Sequence, residues 1–200
     1  MIMGKMKYLV IHTSDSPYNR EVTPDDIATW HLGALKNSDG TYTFFGKTYT
    51  KAELDGWTLQ LPSGKVLNAL DTDGRGWAQV GYSDLIQRTG ELINLVPYND
   101  DEVIDSAEIT NGAAGYNSQS RHVCLAGGWS EDGTIKDGHQ DGVYLEASVL
   151  YTPEQIATLV SYIALQRSMV PDVSVIGHNQ LSTKTCPNFD VQVFLQTNCQ

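Results

Sequence analysis

The chain predicts a single α/β domain. Short apolar runs read as strands, two segments open with helix-capping signals, and the two kinds of element alternate along 200 residues with no repeat or linker between them. That length is enough for one domain with a real core.

Lys7 to Thr13 is the first strand, apolar on both faces as an inner strand should be. Thr23-Pro24-Asp25-Asp26 then supplies an N-cap, a proline at the first helical position and two acids against the helix dipole. The helix carries Ile27, Trp30 and His31 at core-facing spacing, and His31 reads as a hydrogen-bonded core residue rather than a ligand. Gln79 to Gln87 and Glu91 to Val96 flank Arg88-Thr89-Gly90 as a hairpin of two core strands. Arg121 to Trp129 is a further strand, ending in Gly127-Gly128.

Residues 130–151 are acidic and glycine-rich and read as a solvated loop, since the spacing around Asp137 and Asp141 does not fit a calcium loop. Thr152-Pro153-Glu154-Gln155 is a capping box that opens a helix to about Ser168, with Pro171 beyond its end. Val173 to Ile176 is the last core strand, and a short helix from near Asn188 closes the chain.

Composition excludes several function classes. The formal net charge of −11 argues against nucleic acid, whose binding needs Lys and Arg on phosphates, and against anionic membranes. No apolar stretch is long enough to span a bilayer. The N-terminus passes straight into the first strand with no apolar signal region, so synthesis in the cytoplasm is expected. Three cysteines leave one thiol over and give no disulfide framework. Cys124 lies in an apolar strand and reads as a small hydrophobe, while Cys199 is expected to fray at the chain end.

The segment from His178 to Lys184-Thr185-Cys186-Pro187 places an imidazole, an amine and a thiol within nine residues, directly after the last strand. A second imidazole, His12, ends the first strand. Zinc accepts nitrogen and sulfur together, and catalytic zinc sites supply three protein ligands and leave one position open. His12, His178 and Cys186 are therefore the candidate zinc ligands.

The same residues carry a resemblance. His12 after its strand, Gly76-Trp77 with Val80-Gly81-Tyr82, Gly115-Tyr116-Asn117-Ser118 leading into Val123-Cys124-Leu125-Ala126-Gly127-Gly128, and the His178…Lys184-x-Cys186-Pro187 ending occur in order. Together they resemble the zinc-dependent N-acetylmuramoyl-L-alanine amidases, the family of phage lysozyme-type amidases and peptidoglycan recognition proteins. The resemblance implies a central mixed β-sheet flanked by helices. It implies a hydrolase that cuts the amide between N-acetylmuramic acid and L-alanine in peptidoglycan or a muropeptide. Tyr82 would orient the attacking water or shuttle a proton, and Lys184 would stabilise the negative oxygen of the tetrahedral intermediate.

The chain departs from the family at Ser83, where many members have histidine, and at Gly112-Ala113-Ala114. His122 is the candidate substitute in the substrate groove, with Asn117 as a second substrate contact.

About forty residues, from Leu32 to Arg75, intervene where the family passes within a few residues from a Trp-His pair to Gly-Trp. Their turns and aromatic runs predict short β-hairpins, and the hypothesis is a flap beside the zinc groove that touches glycan or stem peptide. The leading expectation is a phage or prophage endolysin released through host-membrane pores. A cytosolic muropeptide-recycling amidase and a non-lytic peptidoglycan-binding module are the alternatives; nothing in the chain speaks for a regulatory protein partner.

Overall fold

The computed structural model describes residues 4–199. Five strands form the main sheet: β1 (Tyr8–Thr13), β2 (Asp84–Ile86), β3 (Leu92–Asn94), β4 (Ser120–Leu125) and β5 (Ser174–Gly177). Their order is β5-β1-β4-β2-β3. The first three joints are parallel and the β2–β3 hairpin is antiparallel, so the sheet is mixed, as expected. Two helices accompany it, α1 (Pro153–Met169) and α2 (Val191–Asn198).

Side chains alternate across a strand, and this decides where the chemistry lies. Leu9, Ile11, Ile86, Val123 and Leu125 join one apolar core with Leu159, Tyr162 and Ile163 of α1 and Phe194 of α2. The intervening residues of β1 and β4 are Val10, His12, His122 and Cys124, which therefore share the opposite face. The parallel register sets Cys124 beside His12 and His122 beside Val10.

The start of α1 is tied to the sheet by one buried side chain. Thr152 Oγ1 accepts from the Gln155 backbone N–H at 3.1 Å, and Gln155 Oε1 accepts from the Thr152 N–H at 3.2 Å, the expected capping box. Gln155 is wholly buried. Its Nε2 also donates to Ile86 O at 3.2 Å and Ala126 O at 2.8 Å, and its Oε1 accepts from Arg88 Nη1 at 2.9 Å. Further along the helix, Gln166 Oε1 accepts from the buried Arg121 Nη1 at 2.8 Å, and Tyr162 Oη donates to Asp84 Oδ2 at 2.6 Å.

Residues 130–151 are more ordered than a solvated loop. They hold a small hairpin, His139–Gln140 with Val143–Tyr144, and a helical turn, Ala147–Leu150. Acids and glycines dominate the segment, but Ala147, Leu150 and Tyr151 enter the core and fix it. The strand expected over Gln79 to Gln87 is shorter, because only Asp84–Ile86 pairs with β4, while Ser83 bonds the His122 carbonyl at 2.8 Å. Cys199 packs against the core rather than fraying. All three cysteines are free.

Contacts separate the chain into two units: residues up to Val22 with those from Tyr82 onward, and Thr23–Gly81. The second unit opens with the helix Pro24–Leu32, capped by Thr23 and Asp26. It continues as strands Leu35–Lys36, Tyr42–Phe44 and Lys47–Tyr49, a helical turn Lys51–Leu54, and the hairpin Thr58–Gln60 with Val66–Asn68. The predicted hairpins are therefore present. This unit has its own apolar cluster of Ala28, Ala34, Phe44, Leu54, Leu59, Leu61 and Ala69. Phe45 and Trp57 stay 40% and 44% exposed. His31 is buried, accepts the Gly81 N–H at Nδ1 (3.0 Å) and stacks on Trp77. Among the described residues, no helix is long and apolar enough to cross a membrane.

Candidate active site

Three backbone segments deliver the candidate ligands. His12 stands near the end of β1, on the face away from α1. His178 follows β5 directly and opens a short 3-10 turn, His178–Gln180. Cys186 arrives on the next loop, which is closed by Asn179 N–H on Cys186 O at 2.6 Å and by Tyr151 Oη on Pro187 O at 2.7 Å. Asn188 pins the loop from below, its Nδ2 donating to Gly128 O and Lys136 O, both at 3.1 Å.

Two glycines permit this close packing. A Cβ at Gly128, whose φ is +114°, would collide with Thr13 Oγ1, and one at Gly177 would collide with Asn179 Oδ1.

His12, His178 and Cys186 place one donor atom each within 4.8 Å of one another, the three residues that the sequence pattern singled out. His12 Nδ1 lies 3.6 Å from Cys186 Sγ, and the two imidazole rings are 4.7 Å apart between centroids. Bond lengths to a tetrahedral zinc imply donor separations of about 3.3–3.8 Å, so the His12–Cys186 pair already sits at that scale. Two imidazoles and one thiol, with no carboxylate among them, fit a borderline-soft ion such as zinc rather than calcium or magnesium.

The electrostatics agree with that fit. Burial, helped by the Lys184 ammonium, lowers His178 to about 4, so its ring is neutral and holds a lone pair at neutral pH. Burial pushes the Cys186 thiol up to about 12, against the opposing pull of the Thr13 N–H and of Lys184. A thiolate there needs a compensating cation, which a bound metal supplies. The Thr13 N–H already points at the sulfur, 3.3 Å away.

Lys184 is exposed, and its charge acts on both His178 and Cys186. Tyr82 is half-buried, with its ring 5.0 Å from that of His12. Its hydroxyl also reaches Cys124, whose thiol burial pushes well above the ordinary range while that hydrogen bond opposes the push.

Of the two residues expected to meet substrate, His122 is shut away from solvent, while Asn117 is half-buried. His122 is wholly buried, with its Nδ1 2.9 Å from His12 Nε2, so it stands behind His12 rather than open to substrate. Burial, with His178 adding, lowers it to about 3. Asn117 sits in the 3-10 turn Asn117–Gln119, where its Oδ1 accepts the Ala113 N–H at 2.8 Å and closes that loop. The pairing of His12 with His122 escaped the sequence because it depends on the β1–β4 register. The alternation that puts His122 and Cys124 on one face was the available signal.

The family model for N-acetylmuramoyl-L-alanine amidase matches residues 3–189. An endolysin of Enterobacteria phage K11 is 29% identical over 123 residues, covering 62% of this chain and 68% of the relative. The solved N-acetylmuramoyl-L-alanine amidase LysC of Clostridium intestinale URNW superposes with a TM-score of 0.54 at 13% identity, over 98% of this chain and 89% of its own. A variant of Drosophila PGRP-LB, solved in complex with tracheal cytotoxin, gives 0.54 at 16% identity, over 100% and 88%. These two structures share the fold. With the family model spanning nearly its whole length, the chain belongs to the N-acetylmuramoyl-L-alanine amidase family.

Proposed function

We propose that the chain is a zinc-dependent endolysin-type hydrolase of the amide between N-acetylmuramic acid and the L-alanine of the stem peptide. The observation that carries this reading is the convergence of His12, His178 and Cys186 within 4.8 Å, beside Lys184 and Tyr82. Phage endolysins among its relatives and the muropeptide-type ligand of its PGRP neighbour support peptidoglycan as the substrate. Synthesis in the cytoplasm and action on the cell wall belong to this reading, and the endolysin relatives support it.

Zinc held by the three ligands would act as a Lewis acid toward the scissile carbonyl and acidify the attacking water. The protein's own part would be to present the His12 and His178 imidazoles and to release the Cys186 proton on metal uptake. The Lys184 ammonium, close enough to act on both His178 and Cys186, would meet the negative charge that develops on the carbonyl oxygen. The Tyr82 phenol, against the His12 ring, would orient the attacking water and hold a proton in transit.

The test is digestion of purified peptidoglycan with and without a chelator, with mass analysis of the new ends. New L-alanine amino termini beside intact muramic acid, lost on chelation and restored by zinc, are expected. Cys186→Ser should lose both zinc and activity. Cleavage of a glycosidic bond, or unchanged zinc stoichiometry in that variant, would overturn the assignment.

A further inference from the structure

His122 has no place in the chemistry above, yet its side chain lies directly against His12, one of the three ligands. Its Nδ1 lies 2.9 Å from His12 Nε2, with the two rings 5.1 Å apart and tilted by 49°. The ring is wholly buried, and its Nε2 has no hydrogen-bond partner among the described residues. Its backbone is fixed as well: the carbonyl accepts from Ser83 N at 2.8 Å, just before the β4–β2 pairing begins. A locked, solvent-free imidazole on a ligand's far nitrogen can set that ligand's tautomer.

The proton bookkeeping has two solutions. A neutral imidazole carries one N–H and one lone pair. If His122 donates from Nδ1, His12 must carry its proton on Nδ1, the nitrogen facing Cys186, and has no lone pair there for a metal. If His12 donates from Nε2, its Nδ1 lone pair faces Cys186 Sγ at 3.6 Å and the metal position. The His122 proton then sits on Nε2, unpaired and buried.

We infer that His122 is a positioning residue for the metal centre, accepting the His12 Nε2–H so that Nδ1 is the ligating atom. The inference rests on the zinc reading of this site. Metal-bound histidines commonly donate their second N–H to a carboxylate or a backbone carbonyl. Here an imidazole from the neighbouring parallel strand takes that part, brought into reach by the register that sets Cys124 beside His12.

Two measurements test it. In zinc-loaded wild-type protein, long-range proton–nitrogen NMR of the imidazoles should show His12 protonated at Nε2 and His122 at Nε2. Chelator competition should show zinc binding about 10–100-fold weaker in His122→Leu, which fills the space without an acceptor. His122→Asn, whose Oδ1 can occupy the place of Nδ1, should recover most of that loss; a merely space-filling role would favour Leu over Asn. A His12 proton on Nδ1 in the loaded protein, or unchanged zinc affinity in the Leu variant, overturns the inference while the zinc reading stands. Wild-type protein that takes up no zinc overturns both. The NMR measurement needs only wild-type protein, so a Leu variant that fails to fold does not shield the idea.

Discussion

A lysine on an exposed loop costs nothing to mutate unless its charge has a task, and Lys184 is exposed beside two ligands whose proton affinities it shifts. Lys184→Ala should fold and bind zinc yet lose about a hundredfold in turnover, the size of a lost oxyanion donor; steady-state kinetics with unchanged turnover would return it to the solvated surface. His31 offers a test that involves none of the candidate ligands. Burial, with the Arg75 charge adding, lowers it from 6.5 to about 4 while its Nδ1 accepts the Gly81 N–H. Between those values the unfolded chain binds the proton and the folded chain does not. Stability should therefore fall as pH drops from about 6.5 to 4, by on the order of 3 kcal/mol for this group. In His31→Asn the amide oxygen replaces the acceptor without titrating, so its stability curve should be flatter over that window; parallel curves for the two proteins would dismiss His31 as the source. At this scale the sequence was legible where residue type sufficed. His12, His178 and Cys186 are good ligands wherever they meet, and His31 read as a core residue. It was illegible where a neighbour decided the role, as for His122, because strand register is not written in local pattern.

Secondary-structure elements were read best at their starts. Thr23 with Asp26 and Thr152 with Gln155 form the reciprocal caps that their spacing announces. What spacing could not announce is that Gln155 also serves the sheet. Its amide ties the Ile86 and Ala126 carbonyls to the first turn of α1 and accepts from Arg88, all without solvent. Thr152→Ala removes one capping oxygen and should cost about 1 kcal/mol. Gln155→Leu keeps the volume but leaves the buried Ala126 carbonyl and the Thr152 N–H without the amide and takes one bond each from Ile86 O and Arg88, so it should cost about 3 kcal/mol or more. Chemical denaturation of both variants checks the order, and equal costs would mean that water replaces the amide. Residues 130–151 were misread for the opposite reason. Their glycines and acids dominate the composition, whereas Ala147, Leu150 and Tyr151, which decide the packing, are few.

For the whole molecule, the α/β class and the mixed sheet followed from the order of apolar runs and caps, and the hairpins of residues 32–75 followed from their turns. That those residues carry an apolar cluster of their own was not legible, since aromatic content alone does not say which rings are covered. Phe44 is buried while its neighbour Phe45 is 40% exposed. Net charge is the one global property that bears directly on function. A chain of formal charge −11 must approach a wall whose stem peptides carry carboxylates. Like charges repel over roughly the Debye length, about 30 Å at 0.01 M salt and about 8 Å at 0.15 M. Short-range contacts with substrate survive screening, whereas the long-range repulsion does not. Initial rates on intact sacculi, at substrate well below saturation, should thus rise about twofold or more between those salt concentrations. A small muropeptide with amidated carboxylates should show little change over the same range. A rate on sacculi that falls with added salt would mean that a local cationic surface steers the wall toward the site, and that net charge is the wrong guide to this encounter.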